Sequence, residues 1–339
     1  MLRQFKKYGS KATRGTTFLS SIAPFGIIGG LLYAGLFVKA DAVVRKVDAP
    51  AIERRDNYVS LSVPAPQIVW AAGTGGKIVR SIDGGKSWAS QPTGIQNNLL
   101  GIAAWDPQHA TAVGNLGTII ETADGGNTWA EAKTPASSNP NKLFRVHIFD
   151  GVAWAVGEFG ALLQSKDRGL TWTRALPEKD RAWNDVYFLG QQGWLVGEFG
   201  TVMKTSDGGA TWAEVATPNK VSLMSVAFRD PQHGVAVGLS GTVMVSGDGG
   251  ATWRQARQAT RESLYSVIWD NDRWLAVGDK GVMVTAAAEA GEWKAARISD
   301  QDLSWRTQIV KSETGYYLAG ANLAILENGR LAVAGHAGK

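Results

Sequence analysis

One phrase recurs along the chain at a nearly fixed interval, and the interval limits the fold. Ser81-Ile-Asp83-Gly84-Gly85-Lys-Ser87-Trp88 returns as the stretches Thr122 to Trp129, Ser165 to Trp172, Thr205 to Trp212 and Ser246 to Trp253. A worn sixth copy ends at Glu292-Trp293, and successive tryptophans stand 40 to 43 residues apart. Such a period means one supersecondary unit repeated, each copy burying its apolar face against its neighbours. A second landmark keeps the register: Gly-x-x-Gly begins at Gly73, Gly114, Gly157, Gly197, Gly238 and Gly278, with an incomplete copy from Gly320. Seven units of about 41 residues account for 51–339.

The unit at 222–253 shows the internal plan. Ser222 to Phe228 is an apolar strand, Asp230-Pro-Gln-His233 a turn, and Gly234 to Gly238 a second strand. Leu239-Ser240 lies in the Gly-x-x-Gly turn, Thr242 to Val245 is a third strand, and Trp253 opens a fourth. Short apolar runs with Gly, Asp and Pro between them read as strands. Four strands repeated seven times predict an all-β, seven-bladed β-propeller of four-stranded antiparallel blades.

The recurring phrase has a physical meaning. Asp-Gly-Gly between apolar runs is a hairpin turn, because glycine supplies the positive φ. The aspartate and the Ser/Thr hydroxyls accept backbone N–H groups, and the tryptophan covers the turn. The pattern S/T-x-D-x-G-x-T/S-W resembles the Asp-box, or BNR, repeat. Sialidases, two-domain xyloglucanases and sortilin-like receptors carry it. The single ring and the Val-Gly-x-x-Gly…Asp-Gly-Gly-x-Thr-Trp phrasing look most like the photosystem II assembly-factor-like family, over about residues 57–335. That resemblance implies a non-enzymatic, exported assembly or accessory protein docked on an integral membrane protein complex. Its bacterial members outside photosynthesis imply an RND-type exporter as partner. The chain departs from photosynthetic members in having no lipid-modifiable cysteine, since it has no cysteine at all.

Charge is concentrated at the amino end. The formal net charge is +5, but residues 1–40 hold Arg3, Lys6, Lys7, Lys11, Arg14 and Lys39 and no acid, so the remainder is close to neutral. A nucleic-acid-binding face is not indicated. The uncharged run Thr16 to Val38 is long enough to span about 30 Å of bilayer, and the basic stretch before it predicts a cytoplasmic amino end. The expected organisation is a basic cytoplasmic tail at 1–15, a transmembrane helix at 16–38 and a linker at 39–56. The propeller at 57–339 then lies on the periplasmic side of the cytoplasmic membrane. A cleaved signal peptide ending near Val38-Lys39-Ala40 is the alternative. Gly26 and Gly30 form a small-xxx-small pair suited to helix contact.

Five equivalent aspartates, Asp83, Asp124, Asp167, Asp207 and Asp248, cannot all be one active site, and a structural role is expected. The rival reading is a carbohydrate-binding or sialidase-like propeller, which needs an arginine cluster and a nucleophile; Phe144-Arg145-Val146-His147 is a faint echo of that signature. No metal-ligand spacing and no cofactor motif occurs, so no enzyme is expected. Alternation along the first strand of each unit points Gly101, Arg145, Asp185, Ser225, Ser266 and Thr307 into the central channel, with His147 and Tyr187 one step further. Arg145, His147, Asp185 and Tyr187 are therefore a candidate anion site. The turns at Leu116, Phe159, Phe199 and Leu239, with Arg174, Lys179, Arg181, Arg254, Arg257 and Arg261 on the connectors beside them, form a candidate partner face, because aromatics and arginine anchor interfaces.

Overall fold

The computed structural model describes residues 16–37, 50–139 and 141–334, with side chains in the first segment at 24–36 only. The chain divides into two units, Met1–Ala49 and Pro50–Lys339. The expected tail at 1–15 and most of the linker, 39–49, lie outside the described residues, as does His336.

In the first unit Thr16–Phe37 is an α-helix with Pro24 inside it. Among the described residues no helix is long and apolar enough to cross a membrane. The helix expected at 16–38 is met at Thr16–Phe37, and its crossing of a membrane is not supported. Phe25, Ile27, Ile28, Leu31 and Leu36 are exposed along it.

The second unit is all β. Its 28 described strands fall into seven contiguous runs of four, blades 1 to 7. Their inner strands are Tyr58–Ala65, Leu99–Ala104, Leu143–Phe149, Trp183–Leu189, Leu223–Phe228, Leu264–Asp270 and Arg306–Lys311. Each packs beside the next, and the last beside the first, so the ring closes. Five blades are separate antiparallel sheets, while blades 1 and 7 are joined into one by the single pair Tyr58–Gly320. Among the described residues no strand is exchanged across this seam. Around it Leu61 N–H donates to Gln308 Oε1 at 2.7 Å, and the Thr307 hydroxyl to Val59 O at 2.7 Å.

Two devices hold blade to blade. The first lines the channel, where in five of the seven blades a side chain of the inner strand accepts a backbone N–H from the next blade; Gly101 and Arg145 hold the place in blades 2 and 3. Ser60 takes Ile102 N–H at 3.1 Å, Asp185 takes Val226 at 3.1 Å, Ser225 takes Val267 at 3.3 Å and Ser266 takes Ile309 at 3.4 Å. These N–H groups point away from their own sheets and would otherwise be orphaned in the interior. Gln308 fills this place in blade 7, which corrects the expected Thr307. A register shift just before the channel position recurs in every blade, here between Arg306 and Gln308, so Gln308 is the equivalent of Ser225 and Ser266.

The second device is a tryptophan seat. A Cβ at the second Asp-box glycine would lie 2.9 Å from Trp70 at Gly126, 2.6 Å from Trp154 at Gly209 and 2.3 Å from Trp194 at Gly250. Each tryptophan stands on the second strand of the preceding blade. Glycine is thus required twice, for its φ near 80–90° and for the neighbour's indole. Tyr317 plays this part at the seam, donating to Gly84 O at 3.1 Å.

Candidate functional site

The end of the ring carrying the Asp-boxes is closed by repetition. In all five boxes the first hydroxyl donates to the aspartate at 2.7–2.9 Å. The second Ser/Thr donates its backbone N–H to Oδ1 at 2.9 Å and its hydroxyl to Oδ2 at 2.6 Å. These bonds favour the anion. The hydroxyls of Ser87, Thr128 and Thr211 hold Asp83, Asp124 and Asp207 down to about 2. Burial pushes Asp167 and Asp248 up, but the same hydrogen bonds outweigh it and both are lowered. A carboxylate so engaged has little capacity left for substrate. His109 and His233 are likewise bound, each through Nδ1 at 2.9 Å to Asp106 and Asp230 of its own turn. Among the described residues no group of His, Asp and Glu could hold a metal ion.

The opposite end is built differently. Each Gly-x-x-Gly forms a short 3-10 turn whose last glycine packs under the connector to the next blade. Gly160 N–H donates to Arg181 O at 2.6 Å, and a Cβ at Gly200 would sit 2.3 Å from Asn219 O. Glu158 and Glu198 brace the connectors, each accepting a backbone N–H at 2.9 Å, from Lys142 and Ala182. The residue before the last glycine has a left-handed backbone in every one of the six turns. It is Gly75 in blade 1, where φ costs nothing, but Leu116 (φ 58°), Phe159 (53°) and Phe199 (55°) in blades 2, 3 and 4. For such bulky residues this conformation is unfavourable by about 1–2 kcal/mol each. Ser240 and Lys280 occupy it in blades 5 and 6, so Leu239 stands one place earlier and is half-buried. Leu116 is 66% exposed and Phe199 65%, while Phe159 is half-buried.

Beside Leu116 a groove of about 340 Å³ runs along Pro135, Ala136, Leu143 and Leu163 to Arg174. Arg174 pairs with Glu178 at 3.0 Å, but its Nη1 is buried with no acceptor. Arg181 lies over the Trp183 ring at 5.5 Å and beside Glu214. Lys179 donates its backbone N–H to Phe159 O. Arg254, Arg257 and Arg261 are exposed around blades 5 and 6, with no ion pair among the described residues. Leu116 and Arg174 thus line one groove and Lys179 meets Phe159 through the backbone, while Arg254 lies on the fourth strand of blade 5 and Arg257 and Arg261 follow it on the connector to blade 6.

The channel residues meet as an interior cluster. One guanidinium nitrogen of Arg145 crosses the axis and donates to Tyr265 O at 2.6 Å and Thr307 O at 2.9 Å, in blades 6 and 7. His147 Nε2 lies 2.8 Å from Asp185 Oδ1. Burial would raise the Asp185 carboxyl, but the His147 ring, the Arg145 charge and the Val226 N–H outweigh it, and it is lowered. Tyr187 donates to Phe228 O at 3.0 Å, and burial raises its hydroxyl. Sequence reasoning missed Phe149, Trp269 and Gln308 in this cluster, although period-two alternation reaches Phe149 from His147.

No curated protein matches the chain significantly. Solved structures do, at fold level. The structure of YCF48 bound to D1 peptide is 14% identical, covers 83% of this chain and 92% of that one, and superposes with a TM-score of 0.65. YCF48 from Cyanidioschyzon merolae is 13% identical, with coverages of 79% and 94% and a TM-score of 0.64. The WD40 propeller domain of Doa1 is 10% identical, with coverages of 80% and 92% and a TM-score of 0.64. At such identities the likeness is one of fold alone. The family model described as photosynthesis system II assembly factor YCF48 matches residues 91–182 and 212–315. Those two stretches make up more than half of the sequence, and the chain belongs to that family.

Proposed function

We propose that the chain is a non-enzymatic accessory protein that docks on an integral membrane protein complex through the Gly-x-x-Gly end of its ring. The observation that carries this reading is the run of Leu116, Phe159 and Phe199. Three adjacent blades hold a large apolar side chain in a backbone conformation that glycine would occupy without strain. Five of the six turns hold a non-glycine residue there and only Gly75 is free of the strain, and a large apolar side chain kept in that conformation on three neighbouring blades points to a use for it. The groove ending on the unpaired Nη1 of Arg174 supports the same face, since an acceptor on a docked chain would satisfy that donor. One solved relative was captured with a peptide of D1, which favours a protein ligand.

The finer reading is a protein held on the extracytoplasmic side of the cytoplasmic membrane by its amino-terminal helix, with an RND-type exporter as its partner class. The exposed apolar side chains at 25–36 favour that attachment. The test is co-purification of the full chain from detergent extracts with mass-spectrometric identification of partners. Phe159→Ala combined with Phe199→Ala is expected to lose most of the captured membrane complex while the ring melts as in the parent. Undiminished capture by the folded double variant would sink the reading.

A further inference from the structure

The channel has a second mouth, on the Asp-box end, and it opens into a cavity of about 440 Å³. Small-molecule sites run from roughly 300 to 1,000 Å³. Arg145 closes the base but turns its Nη2 toward the carbonyls of Tyr265 and Thr307. Asp185, 3% exposed, is occupied by Val186 N–H at 3.0 Å, Val226 N–H at 3.1 Å and the His147 ring at 2.8 Å. The carboxylate accepts a hydrogen bond from Nε2–H, which leaves Nδ1 facing the cavity. That nitrogen has no protein partner among the described residues, and His147 lines the cavity. Around it stand Phe149, Tyr187, Leu189, Ile268 and Val310. At the rim Arg229 and Lys311 each sit beside an aspartate, Asp230 and Asp270. The rim therefore neither repels nor strongly attracts a single negative charge.

One unpaired ring nitrogen at the foot of an apolar wall suits a molecule with an apolar body and one polar end. A hydrated dianion such as sulfate would lose its water there against the apolar wall, with the Asp185 carboxylate close by. We propose that this cavity binds a small free monocarboxylic acid with an aromatic or branched aliphatic tail. One proton is shared between its carboxyl oxygen and His147 Nδ1, and the tail lies against Phe149, Tyr187, Leu189 and Val310. This site lies at the other end of the ring from the docking face, so either can fail alone.

Calorimetric titration of the full chain with phenylacetate and 4-methylpentanoate tests the idea. At least one is expected to bind with Kd below roughly 1 mM, and acetate, sulfate and phenylacetamide at least about tenfold more weakly. Ile268→Trp fills the cavity from the far wall and leaves His147 and Asp185 in place; it is expected to weaken binding about tenfold with an unchanged melting temperature. His147→Phe is expected to do the same through loss of the nitrogen. Equal binding by Ile268→Trp, by sulfate or by phenylacetamide would overturn the proposal, as would no binding of either acid below roughly 1 mM. A peptide ending in phenylalanine with a free carboxyl, if it bound more tightly than phenylacetate and lost that binding on amidation, would overturn the assignment to a free acid.

Discussion

The turns at the two ends of each blade meet the same demand, a chain that must reverse through positive φ, in opposite ways. At the Asp-box end glycine takes the left-handed positions in every box but one, where Arg168 stands, and each aspartate accepts from both flanking hydroxyls. At the Gly-x-x-Gly end the corresponding position passes from Gly75 through Leu116, Phe159 and Phe199 to Ser240 and Lys280. The first end repeats what the fold needs. The second varies from blade to blade at a cost in backbone strain. In a repeat protein the uniform positions report on assembly and the uneven ones on what the assembly presents.

The comparison can be broken most forcefully at the tryptophan seats. Gly209→Val would force a β-branched residue to φ 88° and into Trp154. It is expected to cost about 3 kcal/mol or more, read as the drop in denaturant midpoint. A loss under about 1 kcal/mol would mean that the blades tolerate separation at this seam.

Acid is the next lever. Asp83, Asp124 and Asp207 sit at about 2 in the folded ring, against about 3.9 in an unfolded chain. The stability they contribute is complete above the unfolded value and disappears as pH falls through the folded one. Thermal midpoints are therefore expected to hold from pH 7 to 5 and to fall steeply between roughly pH 4 and 2. Asp83→Asn with Asp207→Asn should start lower and fall less; an acid slope identical to the parent's would count against the boxes as the source.

The smallest effect sharpens the contrast rather than breaking it. Leu116→Gly or Phe199→Gly should relieve strain and stabilise the ring by up to about 1 kcal/mol each, while weakening partner capture. Ordinary surface positions do not combine a gain in stability with a loss of binding. If both variants are destabilised, the side chains belong to the fold and not to an interface.

Much of this was legible in the sequence because the landmarks are glycines, aspartates and tryptophans whose local chemistry is stereotyped. The number of blades, the strand order within a unit and the sharing of one end by the Gly-x-x-Gly turns and connectors followed from their spacing. The left-handed turn could have been read by aligning Leu116 and Phe159 with Gly75, since glycine in one copy signals the φ of the others. The tryptophan seats were not legible, because they depend on how one blade meets the next. Neither was the course of Arg145, whose acceptors are backbone carbonyls 120 and 162 residues away. Thr307 was misplaced by one residue because blade 7 has no Asp-box to anchor the count, and the side chain that meets the next blade's backbone there is Gln308.

The guanidinium that bridges the axis has a mechanical consequence. Arg145 lines the cavity at each end of the channel, so the two mouths share one side chain as a common wall. Whatever presses on one side of that wall meets the same cation that forms the base of the other.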